Sequence, residues 1–463
     1  VEEFKMQHAI VIGASMGGLL AARALADYAT KVTVLERDLF PGPRENRKGV
    51  PQGRHAHALL PSGREVLEGF FPGLTSELVA QGALTGDSAL QVRRCISGYY
   101  HCQFRSGSQS LYCSRPMLES HVRARLIALP NVQIIQNCDV LGLVSTDDGQ
   151  QVTGVRLNRR STDAGEETLL ADLVVDVAGR GSRSPAWLQA LGYPAPEEET
   201  VQVGVGYVSR IYRRKPSDLQ GALNASITPL PPNKRMGVML AMEDDRWLVT
   251  LVGYLGDHPP TDPQGFVEFA KTLPAPDIYE VIKGAAPLSD PLPAKFPASI
   301  RRHYETLERF PAGYLVFGDA ISSFNPTYGQ GMTVAAMEAV ALQRCLAQGN
   351  DGIAQRFFQA ASRLIDIPWQ ITSGGDLRFA EVKGKRTPIQ PLINRYLMSF
   401  HAAARYNPAL VMAFGRVANL KAAPASLLKP SVMGKVLWTN LKRRFAPAAP
   451  ARHPRVAWQG SPK

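Results

Sequence analysis

Gly13-Ala14-Ser15-Met16-Gly17-Gly18 is the stretch on which the reading of this 463-residue chain turns. An apolar, strand-like run precedes it and an Ala/Leu-rich helical stretch follows. A second apolar run at 32–35 then ends in Glu36, 18 residues beyond Gly18. Strand, glycine turn, helix and strand within about thirty residues read as a βαβ unit. In that setting Gly13 permits the tight turn and Gly18 close helix packing, the helix N-terminus faces a pyrophosphate, and Glu36 accepts from a ribose hydroxyl. Ser15 stands where the usual fingerprint has a second glycine; it is small, and its hydroxyl can donate instead. Met16, Gly17 and Arg37 complete this candidate nucleotide set. A glycine turn in an unrelated α/β protein is the plainer reading of a lone motif, and the strand, helix and acidic residue together count against it.

About three hundred residues later, a short apolar run at 314–317 meets Gly318-Asp319-Ala320, and Asn325-Pro326-Thr327-Tyr328-Gly329-Gln330-Gly331-Met332 opens an Ala-rich helix. An NAD-only enzyme has no need of this second segment. A nucleotide site in two distant parts suits FAD, with Asp319 on the ribityl chain and Gly318, Pro326, Gly329, Gly331 and Met332 near the flavin ring and pyrophosphate. Gly-Asp-Ala alone is a common tripeptide; its weight comes from the Pro-x-x-Gly-x-Gly after it.

Between these motifs the texture predicts an α/β class, α+β overall. A Rossmann-type FAD-binding domain covers 1–200, with part of the substrate domain inserted near 85–113. A mostly β substrate domain with Pro-rich turns covers 201–300, and 301–350 returns to the first domain. A helical region with proline interruptions runs over 351–446, and 447–463 is a Pro/Ala-rich, frayed tail.

The 52 Lys and Arg outnumber the 40 Asp and Glu, leaving +12. The basic residues are scattered and no nucleic-acid-binding signature accompanies them, so a solvated surface is the preferred reading and nucleic acid is not expected. Lys429, Lys435, Lys442, Arg443 and Arg444 flank Leu427, Leu428, Val436, Leu437 and Trp438. A docked C-terminal helix with a basic outer face accounts for this, with peripheral membrane contact as the lesser alternative. The five cysteines form no CxxC pair and are odd in number, which fits a reducing, cytoplasmic setting. Glu2 and Glu3 make an acidic leader unlike a secretory signal, and no apolar run reaches the roughly 18 residues that span a bilayer. His55 and His57 have no third ligand at metal-binding spacing, so no metal is expected. Trp369 lacks the second tryptophan of a W-x-W pattern and is read as packing, on the substrate side.

The chain resembles the group A flavoprotein monooxygenases, the p-hydroxybenzoate hydroxylase fold, and within them the polyether-antibiotic olefin epoxidases. The resemblance covers nearly the whole chain. Its carriers are Gly13 to Gly18, the loop Gly49-Val50-Pro51-Gln52-Gly53-Arg54-His55-Ala56-His57, the segments at 172–193 and 318–332, and Ile367-Pro368-Trp369-Gln370. It implies that Arg54 and His55 lie by the flavin, that Arg115 lies near the FAD phosphates and ribityl, and that Val140 holds the adenine through its backbone. It also implies FAD as cofactor and O2 as co-substrate, with a flavin C4a-hydroperoxide as oxygen donor. The expected substrate is a bulky apolar natural-product intermediate whose carbon-carbon double bond is epoxidised. No catalytic side chain is singled out, because the cofactor carries the chemistry. Arg180 replaces the aspartate of the family's usual Asp-Gly motif. That substitution counts against the usual NADPH docking mode and leaves NAD(P)H or a separate flavin reductase as electron source. Tyr207, Tyr212, Met236, Met239, Met242 and Trp247 are candidate apolar lining.

Other functions fit the same motifs. An aromatic hydroxylase shares the fold, and an FAD-dependent reductase or dehydrogenase of isoprenoids shares both nucleotide segments. An escort protein would keep the fold without flavin, against which Glu36, Asp319 and both glycine sets stand intact.

Overall fold

The computed structural model describes residues 6–57, 59–160 and 165–445; the acidic leader at Glu2 and Glu3, the tail at 447–463 and the side chain of Arg444 lie outside that description. β1 (Met6–Ile12), α1 (Met16–Ala26) and β2 (Ala29–Leu35) form the βαβ unit. β2 starts three residues before its apolar run, because main-chain pairing of Met6 with Ala29 and His8 with Lys31 extends the ladder beyond that run. β1 is central in a five-stranded parallel sheet, ordered Tyr314–Val316, Leu173–Asp176, β1, β2, Val132–Ile135. Ala9, Ile10 and Val11 are wholly buried, as a parallel strand covered on both faces requires. α1 is apolar around most of its circumference because it lies between this sheet and the helix Gly331–Leu346.

The second layer is an eight-stranded sheet, ordered Ser322–Ser323, Leu292–Arg302, Glu198–Arg213, Arg246–Gly253, Arg235–Met242, Asn224–Ile227, Val92–Ile96, Tyr99–Tyr100. Val92–Ile96 enters it by parallel pairing with Asn224–Ile227. Within 201–300, where Pro-rich turns were expected, two helices, Pro263–Lys271 and Asp277–Ile282, cover one face of the sheet through Phe266, Phe269, Ile278 and Ile282. Pro263 opens a helix instead of marking a turn: Asp262 caps it by accepting the Gly265 amide at 2.7 Å, and a proline in the first turn has no donor to lose.

Of the prolines expected to interrupt the helical region after residue 350, Pro408 and Pro430 open new helices, whereas Pro368 interrupts nothing. Helix Ile353–Asp376 runs straight through Pro368, where the buried stripe of Ile365, Trp369 and Thr372 outweighs one lost main-chain bond. Helices Gln390–Ala404, Pro408–Ala418 and Pro430–Phe445 share a core around Phe400, Leu410 and Val436. The last of them docks through Val436 and leaves Leu437 and Trp438 exposed. Among the described residues no helix is long and apolar enough to cross a membrane.

Candidate functional site

The two glycine segments meet at Val177. β1, Leu173–Asp176 and Tyr314–Val316 are parallel neighbours, so their C-terminal ends lie side by side, where open α/β sheets place ligands. Gly13 turns with φ +102°, and a Cβ there would stand 2.8 Å from the Val177 carbonyl oxygen. A Cβ on Gly17 would lie 3.1 Å from Val177 Cγ1, and one on Gly318 3.8 Å from the same atom. A Cβ on Gly18 would be 1.8 Å from the Gly13 oxygen, a collision that enforces glycine. Beneath the crossing, fully buried Asp176 accepts from the Ala178 amide (2.8 Å), Ser182 Oγ (2.5 Å) and Ser184 Oγ, which fixes the turn that carries Val177.

Polar groups are arranged around this crossing in a way that suits a nucleotide. Ser15, the N-cap of α1, makes no side-chain cap, so the first-turn amides of α1 keep their donors for another acceptor. Glu36 accepts the Ala14 amide at 2.8 Å and the Asp38 amide at 3.0 Å, and stands 2.9 Å from Arg47. Arg47 also approaches Glu119 at 3.0 Å, and Glu119 pairs with Arg115 at 3.4 Å, so a buried chain of alternating charge links Glu36 to Arg115. Asp319 keeps an exposed face while dense protein around it raises its carboxyl above the usual range, against the pull of Arg115 and Arg180. Behind it, Glu338 is wholly buried, accepts the Gly318 amide at 2.7 Å and is pushed up to about 8 by burial.

A cavity of about 1020 Å³ opens from the 326–332 segment onto the eight-stranded sheet and on to the C-terminal helices. His55, Arg115, Pro326, Gly329 and Met332 line it. His55 is buried, bonded through Nδ1 to Ser209 Oγ at 2.8 Å and set edge-on to Tyr207 at 4.6 Å; burial, helped by Arg54, lowers it to about 4. His57 is lowered to about 3 by burial and then by Arg115, so both imidazoles of the loop are neutral at neutral pH. Of the expected apolar lining, Tyr207 and Met236 face the cavity. Tyr212, Met239 and Trp247 belong to the core on the far side of the sheet, and Met242 is buried away from the cavity wall. Trp369 packs near Phe324 at 6.4 Å, while its neighbour Gln370 lines the cavity.

Arg37 and Arg54 are exposed and Val140 sits half-buried at a bulge in the strand Cys138–Ser145; none of the three is on the cavity wall. Arg180 is turned onto the second sheet: it donates to the Ala298 carbonyl and to Ser323 Oγ at 3.3 Å, with its guanidinium 4.8 Å from the Phe296 ring centre. The sequence reading missed Arg47, Glu119 and Glu338, and also Arg94, Arg378 and His401, which line the cavity.

The FAD binding domain family matches residues 6–358. The chain belongs to that family. This flavoprotein is 34% identical over 457 residues to Protein Rv3254 of Mycobacterium tuberculosis (strain ATCC 25618 / H37Rv), with 94% of each chain covered. Its fold is similar to that of a flavoprotein/dehydrogenase from Cytophaga hutchinsonii (14% identity, TM-score 0.67, 95% of this chain and 99% of the other). It is likewise similar to p-nitrophenol 4-monooxygenase PnpA from Pseudomonas putida DLL-E4 (16% identity, TM-score 0.63, 90% and 99%). The residues present fit the dinucleotide: an uncapped helix N-terminus at a crossing that excludes side chains, and an acidic acceptor at each end, Glu36 and Asp319.

Proposed function

We propose that this flavoprotein is an FAD-dependent monooxygenase that inserts one oxygen atom from O2 into a bulky apolar natural-product intermediate, epoxidising a carbon-carbon double bond. The observation that carries the reading is the cavity of about 1020 Å³ that joins the 326–332 segment to an apolar sheet face lined by Tyr207, Met236, Val238, Leu240 and Val252. In this reading Gly13, Ser15, Met16, Gly17 and Gly18 hold the pyrophosphate, Glu36 the adenosine ribose, and Arg37 and Val140 the adenine side. Asp319 and Arg115 hold the ribityl side, and Arg54, His55, Gly318, Pro326, Gly329, Gly331 and Met332 surround the ring. Bound there, reduced flavin supplies the activated oxygen; the chain supplies a dry wall and a fixed substrate pose. An alkene is nucleophilic enough to take oxygen without a base. The neutral His55 and His57 agree with a site that neither needs nor carries a strong one at this wall.

The electron source is NAD(P)H without a stable docking site, or a separate reductase, because Arg180 is committed to Ala298, Ser323 and Phe296. A reducing, cytoplasmic setting is supported by five cysteines that are all free thiols. The test is the visible spectrum of the purified protein followed by alkene turnover under air and under nitrogen. A flavin spectrum with oxygen-dependent product is expected; product under nitrogen would favour a dehydrogenase, and a colourless protein the escort reading.

A further inference from the structure

Arg94 is the second arginine of the strand Val92–Ile96, whose alternation sends neighbouring side chains to opposite faces. Arg93 is paired with Asp277 on one face, and Arg94 faces the cavity on the other. Protein surrounds Arg94 closely enough to lower its pKa through burial, and among the described residues the one ionisable side chain that offsets this is Tyr112. Tyr112 is pushed up to about 12 by its own burial, so it is a neutral phenol and no counter-ion. Arg378 follows the helix Ile353–Asp376 and also lines the cavity, with its Nε buried and unpartnered. Arg378 feels the carboxyl of Asp376, but that group accepts from Asn325 Nδ2 (3.0 Å) and Tyr328 OH (3.0 Å), and burial pushes it up to about 7.

His401 lines the same cavity within electrostatic reach of both arginines: it is lowered by burial first and then by Arg378 and Arg94, and it is bonded at 3.1 Å to His101, which is lowered too. Both imidazoles are therefore neutral and add no charge. Among the described residues neither guanidinium has a carboxylate partner in ion-pair contact, although each is set into a wall that is otherwise largely apolar. A buried cation without a counter-ion is unfavourable unless a ligand brings one.

We infer that Arg94 and Arg378 form an oxyanion subsite on the wall of the cavity, and that the substrate is an apolar molecule ending in a carboxylate-class group. Guanidinium forks suit such a group, which would anchor the polar end and leave the apolar body along Val238, Leu240 and Val252. The inference rests on the cavity being the substrate site of the proposed oxygenase.

Calorimetric titration of the oxidised holoprotein with dodecanoate and with methyl dodecanoate tests it without turnover. Dodecanoate should bind at least tenfold more tightly than the ester. Arg94→Gln and Arg378→Gln should each remove most of that preference while ester binding and flavin content stay at the wild-type level. Arg94→Gln should also melt no lower than wild type, since it removes a half-buried charge that has no ion-pair partner among the described residues. Equal binding of acid and ester, or an intact preference in both variants, would overturn the subsite and leave the oxygenase reading standing. Loss of oxygenase activity in an otherwise acid-selective protein would do the reverse.

Discussion

Glu338 Oε2 accepts the amide of Gly318 at 2.7 Å, and through that one bond the helix Gly331–Leu346 sets the conformation of the Gly-Asp turn. Its other oxygen is buried without a partner, and burial holds the carboxyl up at about 8. The unfolded chain releases this proton near 4.5, so stability should fall as pH rises from about 4.5 to about 8. Glu338→Gln keeps an acceptor for the Gly318 amide and cannot ionise. Thermal unfolding over that window should therefore decline less steeply in the variant, which should match or exceed wild type at the upper end. Parallel profiles for the two proteins would show that Glu338 is ionised in the fold.

Asp319→Ala removes the carboxyl of an exposed residue, so apoprotein stability should change little while FAD affinity falls by about ten- to a hundredfold, the scale of a hydrogen bond to a charged group. Glu36→Ala should lower both, because it also strands the Ala14 and Asp38 amides and leaves Arg47 with Glu119 as its one carboxylate partner among the described residues. Flavin retention measured by gel filtration and absorbance decides the matter; wild-type flavin content in both variants would remove them from the cofactor site.

Gly18→Ala should abolish folding of the nucleotide domain, a loss of more than about 4 kcal/mol, because the new Cβ would sit 1.8 Å from the Gly13 oxygen. Soluble yield and circular dichroism report it. A variant that folds and binds flavin normally would mean that α1 can shift away from the turn.

Stopped-flow reduction by NADPH should be slow and show no saturation, since Arg180 is engaged with the second sheet. Arg180→Asp introduces the aspartate that the sequence resemblance leads one to expect, but it breaks the contacts to Ala298 and Ser323. Fast, saturable reduction of the wild type would show that the Arg180 departure is immaterial.

The nucleotide half of this fold was legible because its demands are local: Gly13 needs a positive φ, Gly18 has no room for a Cβ, and the two are visible as glycines just before a helix and in its first turn. The far segment was legible from Gly318-Asp319 for the same reason. The cavity wall was less so. Tyr207 and Tyr212 lie five residues apart on one strand, and Met236 and Met239 three apart on another, so strand alternation alone assigns each pair to opposite faces. Tyr207 and Met236 both register with Val252, in one row on the cavity face. Which row faces the cavity depends on the helices Pro263–Lys271 and Asp277–Ile282 covering the other side, and these lie within a stretch whose prolines suggest turns. Arg94 was hidden by the same ambiguity, since Arg93 and Arg94 are indistinguishable until Asp277 claims one of them.

The most direct test of the account is the fate of labelled oxygen. Holoprotein supplied with reduced flavin, 18O2 and a long-chain alkene should give an epoxide carrying one labelled oxygen atom, with a phenol offered in the same vessel left unchanged. Label in the phenol with the alkene untouched, or alkene oxidation that proceeds equally under nitrogen, would contradict it.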